Sequence, residues 1–114
     1  MDQCLFCKII KKEIPSEVVY ENDSVLIFKD ITPKAPTHLL AIPKKHYAGI
    51  HLVPPDDSII FQQLFAAIGE TVKIIGLDLA GYRQVINFGD CAGQTVHHIH
   101  VHILSGRDFT WPPG

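Results

Sequence analysis

"GQTVHHIHVHIL", residues 93–104, carries four of the chain's seven histidines within six positions. Written at a period of two, His98, His100 and His102 fall on one side, and Ile99, Val101 and Ile103 on the other. That alternation predicts a half-buried β-strand, whose successive side chains point to opposite faces. The β-branched residues of the apolar side suit a strand as well. At about 3.3 Å per residue the outer histidines would stand roughly 13 Å apart, with the third between them. One histidine on a strand is ordinarily a polar surface residue or a hydrogen-bonded core partner. Three at alternate positions serve no structural need, so the row reads as functional.

Two chemistries use such a row. Imidazole is a common zinc ligand, and His-x-His on a strand can place two nitrogens on one ion, with His38 or His46 available as a third. Three consecutive same-side positions are, however, stretched too far for a single ion, and no carboxylate-rich motif accompanies them. Phosphate chemistry fits better. One imidazole can attack phosphorus while its neighbours donate to the phosphoryl oxygens and the leaving group. The preceding "GDCAGQT" adds glycines that let backbone N–H groups approach an anion, and a hydroxyl at Thr95.

Outward from this segment, the chain is short and of mixed character. Its 114 residues predict one domain (1–114), 46% hydrophobic, with a formal net charge of −2. A slight acidic excess argues against a nucleic-acid or anionic-membrane binder. "MDQCLFCKIIKKEIP" is too broken by charge for a signal peptide, and no stretch approaches the length of a membrane span. Three cysteines without a secretion signal predict a reducing, cytoplasmic setting.

"CLFCKIIKKEI" predicts a short helix ending before Pro15. "EVVYEND" and "SVLIFKDI" predict a hairpin about Asn22–Asp23, and "THLLAIP", residues 37–43, a third strand. After Pro54 and Pro55, Asp57 or Ser58 can cap a helix whose apolar positions run from Phe61 to Ile75, with Gly76 placed to stop it. "GYRQVINFG" predicts the fourth strand and the histidine segment the fifth, in an α+β domain with an antiparallel sheet.

His98-Ile99-His100-Val101-His102-Ile103-Leu104 resembles the His-φ-His-φ-His-φ-φ signature of the histidine triad (HIT) superfamily. The similarity extends to "CKIIKKEIPSEVVYENDSVLIFKDITPKAPTHLLAIPKKH", "GYRQVINFG", "AGQTVHHIHVHILSGR" and the terminal "WPPG", from about residue 4 to residue 114. The Trp-Pro-Pro-Gly ending is similar to the nucleotide-binding (Hint) branch rather than to the dinucleoside polyphosphate hydrolases. The resemblance implies a HIT fold: a five-stranded antiparallel sheet with one long and one short N-terminal helix. It also implies a homodimer joined through residues 57–75 and 82–88 into a ten-stranded sheet. The implied activity is hydrolysis of purine nucleoside 5′-phosphoramidates and related adenylates, with no cofactor needed for catalysis. Cleavage of dinucleoside polyphosphates is the rival within the same chemistry, and a non-catalytic nucleotide-binding or scaffold protein the rival outside it.

Residue by residue, the resemblance makes His100 the nucleophile on the α-phosphorus and gives His102 a hydrogen bond to the phosphate. Thr95, where many relatives carry serine, would donate to the leaving nitrogen. His38 and His98 would form the polar network behind the nucleophile. Asn87, Gly93 and Gln94 would line the phosphate and sugar side, Asp30 would accept both ribose hydroxyls, and Phe6, Ile9, Phe28 and Ile31 would sandwich the base. Read without the family, those four are equally plain core, and Asp30 a turn residue. Trp111 would reach the partner subunit's active site; unaided, it reads as a tail residue. Some members hold a structural zinc at positions matching Cys4, Cys7, His46 and His98, against which stand two ordinary thiols on a short helix. Cys91 and His97 receive no role, and His51 reads as solvated.

Overall fold

A computed structural model describes residues 3–114. Eight regular elements follow one another: α1 (Leu5–Ile10), β1 (Val18–Glu21), β2 (Val25–Lys29), β3 (Thr37–Pro43), α2 (Ile59–Ile74), α3 (Leu77–Ala80), β4 (Arg83–Ile86) and β5 (Val101–Ser105). The strands form one antiparallel sheet in the order β1-β2-β3-β5-β4. It is the five-stranded sheet with a long helix and a short N-terminal helix expected of a HIT fold.

The β1–β2 turn forms where Asn22 can accept from two successive backbone amides, those of Ser24 and Val25, through its side-chain oxygen. α2 then crosses one face of the sheet. Leu64, Ala67, Ile68 and Val72 from the helix meet Val25, Ile27, Leu39, Ala41, Ile99, Val101 and Ile103 from the strands. The opposite face carries Leu26, Phe28, Leu40 and Ile42, covered by Phe6 and Ile9 of α1. β2 and β3 are therefore buried on both faces, which is why "VLIF" and "HLLAIP" are unbroken apolar runs instead of alternating ones.

Several sequence expectations shift in detail. The residues before α2 form a short 3₁₀ turn, Pro55–Asp57, and Ser58 occupies the cap position without a side-chain cap bond. Asp57 is diverted: its carboxylate accepts from the Tyr47 hydroxyl and pairs with Lys45. Gly76 adopts a left-handed conformation (φ 81°) and ends α2, but a further turn of helix, α3, follows it. The fourth strand is shorter than "GYRQVINFG" and forms a sheet edge. No helix among the described residues is long and apolar enough to cross a membrane.

The largest departure concerns the histidine row, because β5 pairs with its neighbours only from Val101 onward. At His98–His100 the backbone is engaged elsewhere: Ile99 N–H donates to the Tyr47 carbonyl (2.8 Å) and His98 N–H to that of Val96 (2.9 Å). The alternation of faces survives. Ile99, Val101 and Ile103 enter the α2-facing core, while His98 and His100 are buried beneath α1 and His102 is half-buried.

Candidate active site

α1, the end of β2 and the histidine segment enclose a cleft of about 310 Å³. Phe6, Ile9, Phe28, Asp30, Ile31, Thr95, His100 and His102 all line it. Phe6 stands edge-on to Phe28 (centroids 5.7 Å apart) and to His100 (5.1 Å), so an apolar slot abuts the imidazoles directly. Ile31 is 92% exposed and forms the rim.

The hydrogen bonds fix which ring nitrogens are free. His100 Nδ1 lies 2.7 Å from the His98 carbonyl, an acceptor only, so it must donate and the neutral ring keeps its lone pair at Nε2. His38 Nδ1 accepts from the Lys34 backbone N–H (3.0 Å), which places the His38 proton on Nε2. That Nε2–H donates to His102 Nδ1 (2.9 Å), and neutral His102 therefore presents an Nε2–H. One imidazole offers a lone pair and its neighbour a donor, with ring centroids 5.0 Å apart.

Electrostatics keep the set neutral. Burial lowers His100, with Asp30 opposing, and lowers His38 in the same way. His102 is pushed down to about 4 by burial and then by the positive charge that His100 and His38 would carry. Asp30 is held by Thr32, whose N–H and hydroxyl both donate to Oδ1; Oδ2 lies 3.4 Å from His38 Nε2. Asp30, His38 and His102 are close enough to resemble a metal site. The amide facing His38 Nδ1 argues against that, because it keeps the proton on the nitrogen a metal would need.

A second cluster behaves differently. Cys4, Cys7, His46 and His98 bring two sulfurs and two nitrogens within 4.8 Å of one another. His98 Nε2 donates to the Pro43 carbonyl (2.8 Å), leaving its Nδ1 lone pair turned into the cluster. The separations are 3.5 Å (Cys4–His98), 3.7 Å (Cys7–His98), 3.3 Å (Cys7–His46) and 3.1 Å (His46–His98). A tetrahedron built on zinc–sulfur and zinc–nitrogen bonds of about 2.3 and 2.05 Å has sulfur–nitrogen edges of about 3.5 Å and a nitrogen–nitrogen edge of about 3.3 Å. The residues fit a closed zinc site. Burial beside Cys4 would otherwise hold the Cys7 thiol up at about 11, and burial pushes His98 down to about 4, keeping that imidazole neutral as a ligand must be.

The remaining residues expected in the site lie outside the cleft wall. Gln94 is buried, its amide donating to the Ala48 carbonyl (2.9 Å) and accepting from Gly89 N–H (3.0 Å), so it fastens a loop. Gly93 closes the 3₁₀ turn Asp90–Ala92 with φ 86°. Asn87 borders a separate recess beside Ala48 and Phe88. Trp111 is 82% exposed. His51 is exposed too, but stacks edge-on against Phe88 at 4.4 Å.

The supports of His38 are set by the fold. Arg107 Nε donates to the Lys34 carbonyl (3.0 Å), tying the loop after β2 to the turn after β5. Gly106 permits that turn: its φ is 97°, and a Cβ there would come within 2.8 Å of Pro36 Cβ. The Gly-Arg pair in "SGRDF" was the available signal.

A lone-pair imidazole beside an imidazole donor, facing an apolar slot on this five-stranded sheet, defines a histidine-triad site. The chain belongs to the HIT domain family, whose model matches residues 11–109. It is similar to a crystallised HIT family hydrolase from Legionella pneumophila, 50% identical with a TM-score of 0.93, over 98% of this chain and 100% of that one. A histidine triad nucleotide-binding protein from Candida albicans is 35% identical with a TM-score of 0.83, over 98% of this chain and 85% of that one. The 14 kDa zinc-binding protein of Zea mays is 47% identical over 96% of this chain and 87% of its own length.

Proposed function

We propose that the protein is a homodimeric purine nucleoside phosphoramidase of the Hint branch, acting through a covalent nucleotidyl-histidine. The observation that carries this is the His100 Nδ1–H···O=C bond to His98, which leaves Nε2 free on the wall of the cleft. In the first step Nε2 attacks the α-phosphorus and the bond to the leaving nitrogen breaks. The departing amine takes a proton from the Thr95 hydroxyl, which regains one from solvent at the mouth of the cleft, and His102 Nε2–H stabilises the phosphoryl oxygens. In the second step water attacks phosphorus and gives up a proton to solvent, the bond to His100 breaks with its electron pair returning to Nε2, and nucleoside monophosphate leaves. Phe6, Ile9, Phe28 and Ile31 take the base, and Asp30 the ribose through Oδ2, since Oδ1 is already engaged by Thr32.

The test is turnover of adenosine 5′-phosphoramidate by wild type and His100→Ala, with diadenosine polyphosphate as the contrasting substrate. Wild type is expected to prefer the phosphoramidate, and the variant to lose roughly 10⁴-fold or more of the rate. Rapid quenching and mass measurement should show the nucleotidyl adduct on wild type alone. Equal rates in the two proteins would eliminate the mechanism.

The same reading places a structural zinc on Cys4, Cys7, His46 and His98, supported by the near-tetrahedral donor spacing. Cys4 and Cys7 at α1 and His98 on the histidine segment would share the ion, which would tie the two together without touching the substrate. Metal analysis of protein purified without added zinc should return about one equivalent per chain; a value far below that removes the claim. Unpaired Cys4, Cys7 and Cys91 suit the reducing cytoplasm we assign to it.

Dimerisation is supported by the outer edge of β4, unpaired among the described residues, by the exposed Ile86 and Phe88 on and just beyond that strand, and by the exposed Phe65 on α2. Pairing two β4 edges would make a ten-stranded sheet.

A further inference from the structure

We propose that the Cys4–Cys7–His46–His98 cage stands in for the missing sheet ladder at residues 98–100, so that metal occupancy holds the nucleophile in its reactive tautomer. This rests on the zinc reading given above. The nucleophile's proton is anchored by a peptide carbonyl, that of His98, at 2.7 Å. In a regular strand that peptide would be fixed by cross-strand bonds, but the ladder of β5 begins only at Val101. What holds it instead is the segment His46–Tyr47. The Tyr47 carbonyl receives Ile99 N–H at 2.8 Å, and the His46 ring meets the His98 ring across the cage at 3.1 Å.

The fully buried His98 thus faces two ways: its ring toward the cage, its carbonyl toward His100. α1 completes the clamp. Cys4 caps this helix by accepting from Cys7 N–H at 3.4 Å, and Phe6, two residues on, lies edge-on to both His98 (6.0 Å) and His100 (5.1 Å). With the cage filled, α1, His46 and His98 move as one body. With it empty, the His98 ring keeps its bond to Pro43 and weak contacts with the two thiols, and its peptide is held by the Ile99–Tyr47 bond alone, about which it can tilt away from His100 Nδ1. Cys4, Cys7 and His46 are accordingly positioning residues, acting on phosphoryl transfer through His98 without touching the substrate.

The experiment compares the full-length chain loaded with zinc, the same chain stripped by chelator and then refilled, and the variants His46→Ala and His46→Cys. The last retains a zinc-compatible ligand. The readouts are ¹⁵N resonances of the His100 ring, kcat with adenosine phosphoramidate, and thermal melting. The loaded protein is expected to show His100 as one tautomer protonated at Nδ1. Stripped protein and His46→Ala, while still folded, should show averaged tautomers and lose about tenfold or more in kcat, with zinc or the His46→Cys exchange restoring both. A folded, metal-free chain that keeps a single His100 tautomer and a kcat close to the loaded value overturns the proposal. So does unfolding on metal loss by both routes, because the ion would then support the whole fold and not the nucleophile. Absence of bound metal would remove the zinc reading and this inference together. Absence of phosphoramidate turnover would remove the assigned activity, while the His100 resonances still decide the clamp.

Discussion

His38 and His102 show how a side chain's environment becomes a measurable pH response. Both are neutral in the fold: burial lowers both, and His102 stands at about 4 against 6.5 for an unperturbed ring. Between those values the unfolded chain binds a proton that the native chain excludes, so the contribution of these rings to stability falls as the pH drops from about 6.5 toward 4 and is constant above. Melting curves across that range should show the decline, and His102→Gln should reduce its slope relative to wild type. A slope unchanged by the substitution would remove His102 as a source. Gln94 gives a second residue-level expectation. Gln94→Ala leaves the Gly89 N–H and the Ala48 carbonyl without their partner and should cost about 1–3 kcal/mol in urea unfolding. The alternation at 98–103 was legible because side-chain period is a local property. The role of Gln94 was not, because its partner at Ala48 is set by the fold. The Lys34 amide that fixes the His38 tautomer was equally invisible, since every residue but proline carries such an amide.

At the scale of elements, the two faces of the sheet divide the work. α2 packs against one face and the cleft opens on the other, so damage to each should register differently. Leu64→Ala opens a hole beneath α2 and should lower stability by about 2–5 kcal/mol in denaturant titration while leaving kcat/KM near wild type. Gly106→Ala should reverse that balance. The added methyl meets Pro36 in a backbone conformation unfavourable to alanine, at a cost of about 1–3 kcal/mol, and displaces the loop that holds His38. Turnover should fall beyond any loss of folded protein; unchanged kcat in the folded fraction would show that the loop is not needed. β3 is legible to the residue because prolines bracket its apolar run. α3 is not legible because the four residues after Gly76 carry no periodicity of their own, nor is the irregular start of β5, because alternation describes side chains and not ladder bonds.

At the scale of the molecule, the proposed dimer predicts that wild type sediments at twice the chain mass and that Ile86→Lys, which places a charge on the open edge, sediments as a monomer. A monomeric wild type would end the ten-stranded picture. The order β1-β2-β3-β5-β4 has a different consequence, for the way the chain is born. The final strand is an interior one, seated between β3 and β4, and it brings His102 opposite Leu40 on a strand made much earlier. A nascent chain still lacking everything from Val101 onward has both flanking strands and nothing to join them. The sheet can close only once Val101–Ser105 has been made and has slotted between them, so catalytic competence arrives all at once, and a chain broken off before Val101 has no partial activity.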